Sequence, residues 1–223
     1  MDVRHDDRQA FLVVCDGMGG AKSGNVASDM SIHLFAAEVR KRQKPGMTVP
    51  YMRGIMGDAL VEANRLTFER SNEDIDCAGM GSTMVAVMID GSDACFLNVG
   101  DSRAYHITKN GITQVTCDHS VAQEMIRRGE LTPEQARSHP AKNYITRAVG
   151  TEPEVEPEFF SRRVEPGDMI LLCSDGLSNM VLDEEILFEL HANPDLANCP
   201  HRLIQLANER GGPDNITVVL LAV

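Results

Sequence analysis

The chain has 223 residues with 21 Lys and Arg against 33 Asp and Glu, a length that suits one domain and buries about 70% of the surface an unfolded chain exposes. Its net charge of −12 repels phosphate backbones and anionic lipid, which argues against nucleic acid and membrane surfaces as partners and favours cations. The longest apolar runs, 11–15 and 216–223, fall far short of the ~20 residues of a membrane helix. Residues 1–7 lack the apolar centre of a secretory signal, and the cysteines show no C-x-x-C spacing, so we expect a cytoplasmic protein without zinc site or disulfide framework.

Residues 10–15, Ala-Phe-Leu-Val-Val-Cys, are a continuous apolar run ending at Asp16-Gly17, the pattern of a buried strand. Val26, Met30 and Leu34 then recur at helical spacing, ending near Lys44-Pro45-Gly46. Met52, Ile55, Met56, Ala59, Leu60, Ala63 and Leu66 mark a second helix over 51–70, its methionines serving as core filling. Strands follow at 82–89, 94–99, 104–107 and 112–115. The connections Asp90-Gly91-Ser92-Asp93 and Lys109-Asn110-Gly111 have hairpin chemistry, so the sheet is expected to be antiparallel. Residues 119–150 differ: a short helix over 120–128, a second opening on the capping box Thr132-Pro133-Glu134-Gln135, and a polar stretch at His139-Pro140 make a lid-like segment. A strand at 169–173, helices at 183–191 and 200–209 and a last strand at 216–223 complete the chain. With no repeat or linker, 1–223 reads as a single α+β domain of helices packed on antiparallel sheet.

Three acidic residues stand just outside strand ends. One strand runs into Asp16-Gly17, another into Ser174-Asp175-Gly176, and Pro213-Asp214-Asn215 leads into the last. If those strands are neighbours, antiparallel where the Asp precedes its strand, all three carboxylates project from one edge. Three close carboxylates repel, so either their pKa values rise or a hard cation sits among them. Carboxylates with a glycine carbonyl suit Mg²⁺ or Mn²⁺, and glycine after two of the aspartates lets a carbonyl approach the ion. Any one Asp-Gly alone is ordinary turn or cap chemistry, and Asp90-Gly91 is read that way.

The series Asp16-Gly17-Met18-Gly19-Gly20, Gly79-Met80-Gly81-Ser82-Thr83, Val99-Gly100-Asp101-Ser102-Arg103, Thr116-Cys117-Asp118-His119-Ser120, Ser174-Asp175-Gly176 and Asp214-Asn215 resembles the metal-dependent PP2C-type (PPM) serine/threonine protein phosphatases, in the form of their bacterial branch. The resemblance implies two antiparallel β-sheets in a sandwich flanked by pairs of α-helices, with a two-metal centre at one end. It implies that Asp16 bridges two Mn²⁺ or Mg²⁺ ions, that the Gly17 carbonyl binds one, and that Asp175 and Asp214 complete the first ion's protein ligands. Asp118 is matched to the acid of a third, looser ion, and 119–150 to the flap beside the cleft. Asp16, Asp175 and Asp214 would then act through the metals, an activated water attacking phosphoserine or phosphothreonine in proteins without a covalent intermediate. The implied partners are phosphorylated proteins, including a serine/threonine kinase and its substrates.

Two departures stand out. Family members carry an Arg-x-x-Asn-Glu-Asp-like motif before the first Asp-Gly. Residues 1–7 do not fit it, Arg4 with Asp6 or Asp7 has the wrong spacing, and the sandwich is expected to lack its usual first strand. Ser71-Asn72-Glu73-Asp74 is expected to be a solvated loop. Met18 stands where eukaryotic relatives have a proton-donating His, and a thioether donates none, which leaves His119 and His139 as weak candidates. Asp101 is expected to be structural, and Asn215 to orient Asp214. The alternative to an enzyme is a catalytically impaired phosphatase-like interaction module.

Overall fold

The structure, a computed structural model, describes residues 9–193 and 195–223. Its first sheet takes β1 (Gln9–Val14), β4 (Met84–Asp90), β5 (Asp93–Val99) and β8 (Glu158–Arg163) in the order β1-β4-β5-β8. The second takes β10 (Val218–Ala222), β9 (Met169–Cys173), β6 (Arg103–Thr108) and β7 (Gly111–Gln114) in the order β10-β9-β6-β7. A two-residue ribbon pairs β2 (Gly17–Met18) with β3 (Gly81–Ser82). Every pairing is antiparallel.

The strands of both sheets are apolar on two faces because each sheet is covered on both sides. In β4, Val85, Val87 and Ile89 join Phe96 of β5 and Leu12 and Val14 of β1 against Ala104, Ile170 and Leu172 of the second sheet. The alternate residues Met84, Ala86 and Met88 pack outward with Cys95 and Leu97 under α1 (Ala21–Arg42) and α2 (Val49–Glu73). Met52 and Met56 of α2 are in this layer, filling it. The outer face of the second sheet buries Tyr105, Leu171 and Cys173 under α5 (Asp175–Ser178), α6 (Asp183–Ala192) and α7 (Cys199–Glu209). The expected sandwich flanked by helices is what forms. Each fully buried Leu, Val, Ile or Phe adds ~1.5–3 kcal/mol, so the three layers leave no need for cross-links. All six cysteines are free.

Four details depart from expectation. The helix read over 51–70 continues to Glu73, so Ser71-Asn72-Glu73 is its last turn rather than a loop. Ser71 Oγ and Asn72 Nδ2 bond back to the Phe68 carbonyl. Asp74 then caps a 3₁₀ turn at Ile75–Cys77, accepting from the Asp76 N–H. The strand β8 gave no sequence signal, because an edge strand half-exposed along its length carries no apolar run. The final strand is shorter than 216–223. Among the described strands β1 is an edge, bonded to β4 alone; residues 1–8 lie outside the described residues.

Candidate metal centre

Sheet register brings the acidic residues to one end of the sandwich. Cys173, the last residue of β9, is opposite Arg103 on one side and Val218 on the other. Asp175 therefore emerges two residues beyond the edge from which Asp101 enters β6 and Asp214 approaches β10. Asp16 leaves β1 two residues after Val14, and its carbonyl and N–H are held by Thr83 at the start of β4.

The glycines after Asp16 and Asp175 have a use the sequence did not disclose. A Cβ on Gly17 would overlap the Gly24 carbonyl in α1, and one on Gly176 would overlap the Asn215 carbonyl. They permit backbone to pack on backbone, the second pair seating the Asp214 loop against Asp175. Ser174 locks that seat. Its Oγ accepts from the Thr217 N–H (3.0 Å) and donates to the Asn215 carbonyl (3.3 Å). Asp214 is held in turn by the Asn215 backbone N–H at 2.8 Å, so Asn215 orients Asp214 through its backbone. Asn179 Nδ2 donates to Asp175 at 3.0 Å, a role that no motif around it signals.

The electrostatics follow from this crowding. Burial raises the Asp16 pKa to about 7, reinforced by the charges of Asp175 and Asp214 and by a hydrogen bond shared with Asp175. Asp175 is raised by burial and then by Asp214. Asp101, expected to be structural, is the most displaced of the group: burial, then Asp175, Asp118 and Asp16, lift it to about 8. It satisfies the strand-end rule that singled out the others, and applying that rule to Val99-Gly100-Asp101 would have found it. Among the described residues no three His, Cys, Asp or Glu side chains converge on one point; these carboxylates approach one another pairwise. A hard divalent cation fits this donor set. The candidate donors are all oxygen, and an acid whose pKa is raised by burial and by like charges gains most from a cation.

Asp118 is placed differently. Arg103 Nε reaches both its oxygens (3.0 and 3.1 Å) and Nη2 one of them at 2.7 Å, while Gln114 Nε2 donates at 2.9 Å. Its acceptor capacity is committed to a largely buried pair, whereas Asp101 feels the charge of Asp175 directly. His119 is buried, its Nδ1 accepting from the Gly100 N–H (3.2 Å) and its Nε2 facing Glu158 at 3.7 Å. Nε2 has no hydrogen-bond partner at that distance, and it is buried, out of a substrate's reach. His139 Nδ1 accepts from the Ala141 N–H, a turn interaction. Met18 is paired with Gly81 at the rim and partly exposed. Arg4, Asp6 and Asp7 lie outside the described residues.

The 119–150 segment stands beside these groups. It carries α3 (Val121–Arg127) and α4 (Pro133–Arg137), the latter opened by the expected capping box of Thr132 and Gln135. Its base is closed by Ser120 bridged to Ile145 and Ser82 to Val149. Between it and the sheet edge is a cavity of about 220 Å³ lined by Asp101, Asp118, Asp175, Asn179, Arg137 and Lys142 among others.

The fold and this acidic edge define a known class. The family model for protein phosphatase 2C matches residues 1–205. The serine/threonine phosphatase Stp of Listeria welshimeri is 38% identical over 215 residues, covering 96% of this chain and 85% of the relative. PstP of Mycobacterium tuberculosis is 40% identical over 214 residues, covering 96% of this chain and 40% of the relative. Of solved structures, Stp1 from Staphylococcus aureus aligns with a TM-score of 0.91 at 33% identity, covering 99% of this chain and 86% of its own. The catalytic domain of PstP in complex with two manganese ions aligns at 0.81 and 34% identity, covering 98% and 92%. The chain belongs to the protein phosphatase 2C family, and these relatives are bacterial serine/threonine phosphatases. Among the described residues no helix is long and apolar enough to cross a membrane.

Proposed function

We propose that this chain hydrolyses phosphoserine and phosphothreonine in proteins, using two divalent ions, Mn²⁺ or Mg²⁺. The observation that carries the reading is the placement of Asp16, Asp101, Asp175 and Asp214 along one sheet edge, close enough for their charges to act on one another, beside a flap-walled cavity. The relative crystallised with two manganese ions supports the cofactor. Asp16 would hold both ions, the Gly17 carbonyl one of them, and Asp175 and Asp214 would complete the first. For a third ion the acid is Asp101 rather than Asp118, whose oxygens are taken by Arg103 and Gln114. When bound, the ions supply Lewis acidity, which lowers the pKa of water at the site and offsets charge on the phosphoryl oxygens.

The chain's own residues do the rest. Asn179 and the Asn215 N–H fix the direction of Asp175 and Asp214, and Arg137 and Lys142 supply positive charge on the flap side of the cavity. Neither Met18 nor His119 donates a proton to the leaving alkoxide, which takes it from water. The phosphoproteins include a serine/threonine kinase and its substrates. Six free cysteines fit a reducing cytoplasm.

The test is hydrolysis of p-nitrophenyl phosphate and a phosphothreonine peptide by the folded chain, with millimolar Mn²⁺ or with chelator, beside Asp175→Asn. Turnover should require Mn²⁺ and fall at least about 100-fold in the variant. A folded chain with no turnover in Mn²⁺ contradicts the reading and leaves a phosphatase-like binding module.

A further inference from the structure

The segment Gly79-Met80-Gly81-Ser82-Thr83 has no part in the chemistry above, yet its last residue touches both sheets' contributions to the site. Thr83 is almost fully buried between β3 and β4. Its Oγ1 accepts from the Asp16 N–H at 2.9 Å, while its own N–H donates to the Asp16 carbonyl at 2.8 Å. The same Oγ1 lies 2.7 Å from Ser102 Oγ, and Ser102, fully buried, adjoins Asp101. On its other side the Thr83 side chain packs against Gly100. That glycine has φ +100, and a Cβ there would come within 2.7 Å of Thr83 Cγ2. One side chain thus grips Asp16 of the first sheet and both neighbours of Asp101 in the second.

We propose that Thr83 is a positioning residue: its hydroxyl fixes the separation between Asp16 and Asp101, and through it the affinity of the edge for a divalent cation. The proposal rests on the metal-phosphatase reading. A hydroxyl has one proton and two acceptor sites, enough to take the Asp16 N–H and complete the bond with Ser102. With the hydroxyl gone, the Asp16 N–H and Ser102 Oγ each lose a buried partner, and their loops lose the common anchor. Groups that orient metal ligands typically change affinity by about 10–100-fold when removed. The methyl contact with Gly100 has a different job, filling space, so the two halves of the side chain are separable.

Thr83→Val keeps the shape and the methyl but not the hydroxyl; Thr83→Ser keeps the hydroxyl alone. Calorimetric titration with Mn²⁺ alone, together with thermal melting and the split between kcat and KM on p-nitrophenyl phosphate, separates them. Thr83→Val should bind Mn²⁺ about 10–100-fold more weakly and lose kcat more than KM, with Thr83→Ser close to the parent. Ser102→Ala, which spares the Asp16 bond, should also weaken Mn²⁺ and covers the case in which Thr83→Val does not fold. Valine and serine variants that bind alike, or a Ser102→Ala chain with parental affinity, overturn the proposal alone. A parent chain that binds no Mn²⁺ overturns the metal reading and this proposal with it.

Discussion

Asp16 and Asp101 set the charge balance of the site. Their folded pKa values of about 7 and about 8 lie above the ~3.9 of an unfolded aspartate, so the folded state binds their protons more tightly. The stability they contribute is full below about pH 4 and is lost as pH rises through 7 and 8. The metal-free chain should melt higher at pH 6 than at pH 8.5, and Asp101→Asn should flatten the difference. Saturating Mn²⁺ should reverse the order, because its ligands must be deprotonated. Asp101 and Asp118 should part company under substitution. Asp118→Ala leaves Arg103 without its partner and should cost stability toward the ~3–5 kcal/mol of a broken buried pair, whereas Asp101→Asn should weaken Mn²⁺ binding with no such loss in a urea melt. Asp16, Asp175 and Asp214 were legible because each ends or precedes an apolar run. Asp101 also follows an apolar run, at Val99-Gly100, and is passed over because the family resemblance assigns it a structural role. Asp118 was placed by motif alone, which says nothing of Arg103 fifteen residues earlier in the chain and beside it in space.

Legibility at the scale of elements followed burial. β4 and β5 are apolar on both faces and announced themselves; β8, with its exposed Arg162 and Arg163, did not. The four-residue α5 hid because Asp175-Gly176 reads as a turn, although a helix start there is what lets Asn179 reach back to Asp175. The capping box of α4 is local enough to be read from four letters. Thr132 is exposed to test through it: the Thr132 Oγ1 accepts from the Gln135 N–H, and the Gln135 Oε1 accepts from the Thr132 N–H. Thr132→Ala should cost ~1 kcal/mol locally, seen as about fivefold faster hydrogen exchange in α4 with the global melting point unchanged.

For the molecule as a whole, the two sheets matter as a means of placing charge. Antiparallel register puts the ends of β1 and β9 and the approaches to β6 and β10 at one edge, so residues up to about 200 positions apart in sequence meet without any local motif requiring it. The acidic surface adds a general attraction for cations. The most direct measurement is a calorimetric count of Mn²⁺ bound by the folded chain beside Asp16→Asn. The account predicts at least two saturable ions per chain, lost or reduced in the variant. A folded chain that binds no Mn²⁺, or an Asp16→Asn chain that binds as many and as tightly, would contradict it.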